Sequence, residues 1–114
     1  MSHQSEAQYG RITSMLAELE SLVRVESPTE DLSACRKVVA TASDIATRIL
    51  GTPANIREVQ GRPVFWWGVE QPKVILLAHL DTVWPHNSFT PLWSVEGNIA
   101  RGPGIFDMKA GFIQ

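Results

Sequence analysis

His79 and Asp81 flank Leu80. On extended backbone, side chains two positions apart share a face, so this spacing places an imidazole and a carboxylate side by side. A metal-bound imidazole commonly gives its second ring proton to a carboxylate, which fixes the tautomer and strengthens the donor nitrogen. Asp81 suits that supporting role behind His79, and the same two residues also suit a plain structural pair. Asp107 is the third residue of interest, because it follows the Gly102-Pro103-Gly104 loop and opens a helix-like stretch, Asp107 to Gln114. As a cap its carboxylate would bind free amides of a first turn. As a ligand it could bridge two cations about 3.5 to 4 Å apart, as in dinuclear hydrolases. Spacing leaves both roles open. His3 and His86 have no partner at ligand spacing and read as a tail and a loop histidine exposed to water. Lys109 reads as packing or pairing near the site.

The elements that must position these residues are marked by periodicity. From Tyr9 to Arg24, apolar Ile12, Met15, Leu16, Leu19, Leu22 and Val23 form one helical stripe. Ser27 and Pro28 end it, and Asp31 or Ser33 can cap a second helix. Its stripe runs from Leu32 through Cys35, Val38, Val39, Ala42 and Ile45 to Ile49, and Gly51 with Pro53 supplies the stop. Cys35 lies on that stripe and reads as a buried thiol rather than a nucleophile. Asn55 to Val59, Val64 to Val69 and Val74 to Ala78 read as strands. Trp66 and Trp67 then point to opposite faces, one of them into the core. Val74 to Ala78 shows no polar alternation, as expected of a central strand covered on both faces, with helices on each side. His79 would follow at its carboxyl end, where open α/β sheets place ligands. Trp93 to Ala100 reads as a hairpin turning at Gly97-Asn98.

The chain has 114 residues, 44% of them apolar, and a net charge of −2 without a run of either sign, which removes the electrostatic case for nucleic acid or anionic membrane. A small molecule or peptide is the expected partner. One cysteine forms no internal disulfide and no cysteine pair holds a structural zinc. Cytoplasm is the default compartment, since the polar start Met1 to Glu6 is unlike a secretory signal.

Leu77-Ala78-His79-Leu80-Asp81-Thr82-Val83, followed by Gly102-Pro103-Gly104-Ile105-Phe106-Asp107-Met108-Lys109-Ala110-Gly111, resembles the paired motifs of di-zinc metallopeptidases. That family includes glutamate carboxypeptidase, aminoacylase, acetylornithine deacetylase and succinyl-diaminopimelate desuccinylase. The resemblance implies a three-layer α/β/α catalytic domain, of which this chain is the first part, lacking the inserted dimerisation domain through which the complete protein would form a homodimer. It implies that His79 binds one zinc, that Asp107 bridges two, and that Asp81 is the catalytic-site aspartate orienting His79. Cobalt or manganese could replace zinc. It also implies a cis peptide at Asp107-Met108 and hydrolysis of an amide bond in an N-acyl amino acid or peptide by zinc-activated water. The loop around Gly102 leans towards the glutamate carboxypeptidase branch. Ala78 and Asn87 stand where the family usually has glycine, and asparagine is the residue that best replaces glycine at positive backbone angles. The family's glutamate pair, its further acidic ligand and its distant histidine have no counterpart here, so the chain alone is expected to be inactive. The first turn after Asp107 is then expected to fray, leaving Phe112 and Ile113 without a core.

Two other readings use the same residues. A strand followed by Asp81-Thr82 is similar to aspartate-nucleophile phosphohydrolases, but these need an aspartate where His79 stands. A non-catalytic α/β binding piece would use Trp66, Trp67 or Trp93 at an interface.

Overall fold

The first helix, α1, spans His3–Val23 and the second, α2, Leu32–Leu50, in a computed structural model that describes residues 3–114, with side chains from residue 5 onward. α1 begins ahead of Tyr9, where the apolar stripe starts, because polar helix-formers with Glu6 in the first turn can extend it into solvent. Burial along the stripe rises towards its end: Ile12 is exposed, whereas Leu19, Leu22 and Val23 are buried. Asp31 caps α2 by accepting the Ala34 N–H at 3.0 Å, and the Gly51 N–H closes its last turn on Thr47 O. Leu22, Val38, Val39, Ala42, Ile45 and Leu80 form the core, with Val25, Phe65, Phe112 and Ile113 packed against it. Cys35 is buried on α2, as its place on the stripe predicts.

Strands β1 (Asn55–Val59) and β2 (Arg62–Trp66) form an antiparallel hairpin with Asn55 opposite Trp66 and Val59 opposite Arg62. β2 starts earlier than the expected Val64, because Gln60 and Gly61 alone make the turn and Arg62 and Pro63 enter the ladder. Phe65 faces the core; Trp66 faces outward with the Arg57 guanidinium 5.3 Å from its ring centre. Trp67, past the strand, donates its indole N–H to Thr52 O and meets Phe65 edge-on, so it is the half-buried member of the tryptophan pair. β3 (Ser94–Glu96) and β4 (Ile99–Arg101) pair around Gly97-Asn98 as expected.

The run Val74 to Ala78 corrects the expectation of a covered central strand. Its backbone is not part of either two-stranded sheet, and Val74, Ile75, Leu76 and Leu77 are 73 to 94% exposed. A strand is buried only where neighbours pair its edges and layers cover its faces, and the described residues supply neither. The result is a mixed helix and strand architecture with two small antiparallel sheets rather than one sheet between helical layers. Its Cα radius of gyration, 15.3 Å, exceeds the roughly 13 Å of a compact domain of this length, consistent with that uncovered run. Among the described residues no helix is long and apolar enough to cross a membrane.

The end of the chain brings a second correction. Ala110–Ile113 forms one helical turn, α3, whose Phe112 and Ile113 do reach the core, Phe112 lying 5.9 Å from the Phe65 ring. Packing supplies what a single turn lacks by itself.

Leu22→Ala should lower unfolding free energy by about 2 to 5 kcal/mol, measured by urea titration. Leu76→Ala should change it by no more than about 0.5 kcal/mol. A loss at Leu76 as large as that at Leu22 would show that the run is covered in solution.

Candidate functional site

The connection after α1 lies parallel to the segment that carries His79 and Asp81. Pro28 and Thr82 form a parallel bridge, with the Thr82 N–H donating to Ser27 O at 2.9 Å and the Thr29 N–H to Thr82 O at 3.0 Å. Fully buried Ser27 donates its hydroxyl to Leu80 O at 2.8 Å. Leu80 turns into the core and Thr82 is buried, so the two residues between which Asp81 sits are both fixed. His79 and Asp81 are left facing the other way, as the alternation predicts.

Asp81 is held from two sides. The Thr29 hydroxyl donates to its Oδ2 at 2.6 Å, and His79 Nδ1 lies 3.1 Å from its Oδ1. Partial burial disfavours the charge, but the Thr29 hydroxyl and the neighbouring imidazole together outweigh it, and the Asp81 pKa falls below its ordinary value. Thr29 is the functional neighbour that the sequence did not disclose, since its contact depends on a bridge between segments more than fifty positions apart.

Asp107 reaches the same imidazole from the other end. Its Oδ1 is 2.8 Å from His79 Nε2, 28 positions away in the chain. It does not cap a helix: the residue ahead of the α3 turn is Lys109, and no amide of that turn donates to the Asp107 side chain. The Asp107–Met108 peptide is cis, as the resemblance implies. Asn87, at φ 64°, adopts the positive angle expected where asparagine replaces glycine.

Both ring nitrogens of His79 therefore face carboxylate oxygens. A neutral imidazole can donate to only one of them, whereas the imidazolium donates to both. Partial burial opposes the charged ring, yet the hydrogen bond to Asp107 and the contacts with Asp81 favour it more, and the pKa of His79 is raised. A cation at Nε2 would take the place of one proton: the Nε2 lone pair would face the ion and Nδ1–H would remain on Asp81. An ion held by both groups would require this 2.8 Å contact to open. Asp107, 76% exposed, has room to do so.

These residues fit one side of a metal site and do not complete it. Among the described residues no group of three His, Cys, Asp or Glu side chains is placed to hold an ion, and a catalytic zinc ordinarily takes three protein ligands. His86 adds nothing to the site, because its Nε2 pairs with the Asp31 carboxylate at 2.9 Å, a partner that its sequence neighbours do not reveal. His3, expected to be an exposed tail histidine, has its side chain outside the described residues. Lys109 is completely buried beneath the Asp107 loop, and desolvation lowers its pKa to about 8 against the pull of Glu26 and Asp81. Comparison with protein-family models, with curated proteins and with solved structures returned no match.

Because His79 is easier to charge in the folded chain than in the unfolded one, its contribution to stability is complete below the unfolded pKa and fades as pH rises through the folded value. Urea titrations across about pH 5 to 8 should show Asp107→Asn less stable than the wild type at the acid end, with the two converging at the alkaline end. A gap that widens with pH would contradict this.

Proposed function

We propose that this chain carries part of the metal centre of a zinc-dependent amide hydrolase, of the di-zinc metallopeptidase and aminoacylase type, within a three-layer α/β/α catalytic domain. The observation that carries the proposal is the approach of His79 Nε2 and Asp107 Oδ1 to 2.8 Å from separate motifs, with Asp81 on the opposite ring nitrogen. A structural ion pair needs one carboxylate. An imidazole gripped at both ends, with a third group fixing the rear carboxylate, is the arrangement that orients a metal ligand.

In this reading His79 Nε2 and the Asp107 carboxylate hold zinc. When bound, zinc supplies Lewis-acid polarisation of a carbonyl and lowers the pKa of water. Asp81 keeps the proton on Nδ1 so that Nε2 presents its lone pair outward. Thr29 spends its hydroxyl proton on Asp81 Oδ2, which keeps that carboxylate ionised and stops it from rotating away from the ring. The substrate class is an N-acyl amino acid or a peptide, and its cleavage requires further ligands and a general base. With two donors, the chain by itself should bind metal weakly and not turn over substrate. The exposed run Val74 to Leu77 favours a second reading, a non-catalytic piece that binds other polypeptide.

Equilibrium dialysis with zinc separates the two. Binding should be lost in His79→Ala and Asp107→Ala and weakened by about 10- to 100-fold in Asp81→Ala. It should also strengthen as pH rises through the His79 pKa, because the ion displaces a proton. Equal, feeble binding by all four proteins would leave only the non-catalytic reading.

A further inference from the structure

Lys109 is the largest fully buried side chain among the described residues, and no step of the proposed chemistry uses it. Its ammonium donates to Leu22 O at 3.1 Å and to Val25 O at 3.2 Å. Leu22 lies in the last turn of α1, where its O also accepts the Val25 N–H at 3.2 Å, and Val25 lies just beyond the helix, at the end where the dipole favours a cation. The lysine thus closes the end of α1 from a segment more than eighty positions away.

The other side of the same loop is clamped as well. At Gly102 any Cβ would stand 2.6 Å from Val23 Cγ1 and 2.9 Å from Leu92 O, so the backbone itself lies against α1. Gly104, at φ 78°, packs beside Thr82 and the Lys109 stem, and the Lys109 N–H returns to Gly104 O at 2.9 Å. Between these clamps Ile105 and Met108 are half-buried, whereas the tip is not packed: Phe106 is wholly exposed and Asp107 mostly so. The place of the Asp107 carboxylate is therefore set by what holds the two ends of its loop.

We propose that Lys109 is a positioning residue: by binding Leu22 O in the last turn of α1 and Val25 O just after it, it anchors the loop that carries Asp107 and sets that carboxylate against His79 Nε2. Its effect on metal binding rests on the reading above, but its effect on the His79 to Asp107 contact does not. The α1 end is thereby tied to the site twice, through Ser27 and Thr29 to Asp81 and through Lys109 to Asp107.

The test is long-range ¹H–¹⁵N NMR of the His79 ring nitrogens in the wild type, Asp107→Asn, Lys109→Met and Lys109→Arg, with urea stability measured alongside. Asp107→Asn defines the Nε2 shift that marks loss of the contact. Lys109→Met should move Nε2 most of the way to that position while Nδ1, held by Asp81, moves little. If Lys109→Met does not fold, Lys109→Arg, which keeps the charge but carries a larger head than the cavity was built for, should move Nε2 in the same direction. A folded variant of either kind that loses stability while Nε2 stays at its wild-type shift shows that Lys109 only packs, and overturns the proposal. Zinc added to the same samples should bind Lys109→Met about 10-fold or more weakly. A wild type that binds no zinc would defeat the metal reading while the ring shifts still decide the role of Lys109.

Discussion

An imidazole has two nitrogens and, when neutral, one proton, so whatever fixes that proton decides what the other nitrogen can do. In this chain two carboxylates face the ring, Asp107 at 2.8 Å from Nε2 and Asp81 at 3.1 Å from Nδ1, and the orientation of Asp81 is set by the Thr29 hydroxyl at 2.6 Å. Thr29 in turn is placed by a parallel bridge whose hydrogen bonds run from Ser27 and Thr29 to Thr82. These contacts are local in space and remote in sequence, and each depends on α1 ending at the same point. The site is a consequence of where that helix stops.

Packing and chemistry meet at that point. Leu22 and Val23 are buried within the last turn of α1, next to the carbonyls that receive the Lys109 ammonium, and Gly102 lies against Val23. Burying a lysine is expensive unless its donors are satisfied, and here two carbonyls accept two of its three N–H groups while desolvation brings the pKa down to about 8. The loop tip beyond, with Phe106 and Asp107 in solvent, is free to present a carboxylate because its base is so firmly held. Rigid support beneath an exposed carboxylate is the arrangement that a binding site, as proposed above, would need.

Much of this was legible in the residues. The α2 stripe, Gly51 at the helix end, the β1 strand and the Gly97-Asn98 hairpin follow from local periodicity and turn chemistry and stand where expected, and of the two candidate caps, Asp31 and Ser33, the structure uses Asp31. The convergence of His79, Asp81 and Asp107 was expected from the two motifs. Thr29 and the Asp31 partner of His86 were not, because no local pattern encodes a contact between segments so far apart. The Val74 to Ala78 run shows the limit from the other direction: an apolar stretch states that a strand should be covered, and it cannot state what covers it. Phe112 and Ile113 erred the opposite way, since helix propensity counts only local terms and their burial against Phe65 is tertiary.

Everything rests on His79 and Asp107 serving one cation from two motifs. The measurement that tests this most directly is anomalous diffraction at the zinc edge from crystals soaked in zinc. The account predicts a peak about 2.0 to 2.2 Å from both His79 Nε2 and an Asp107 carboxylate oxygen, with His79 Nδ1 still on Asp81. Zinc bound instead between His86 and Asp31, or no peak beside His79, would contradict it.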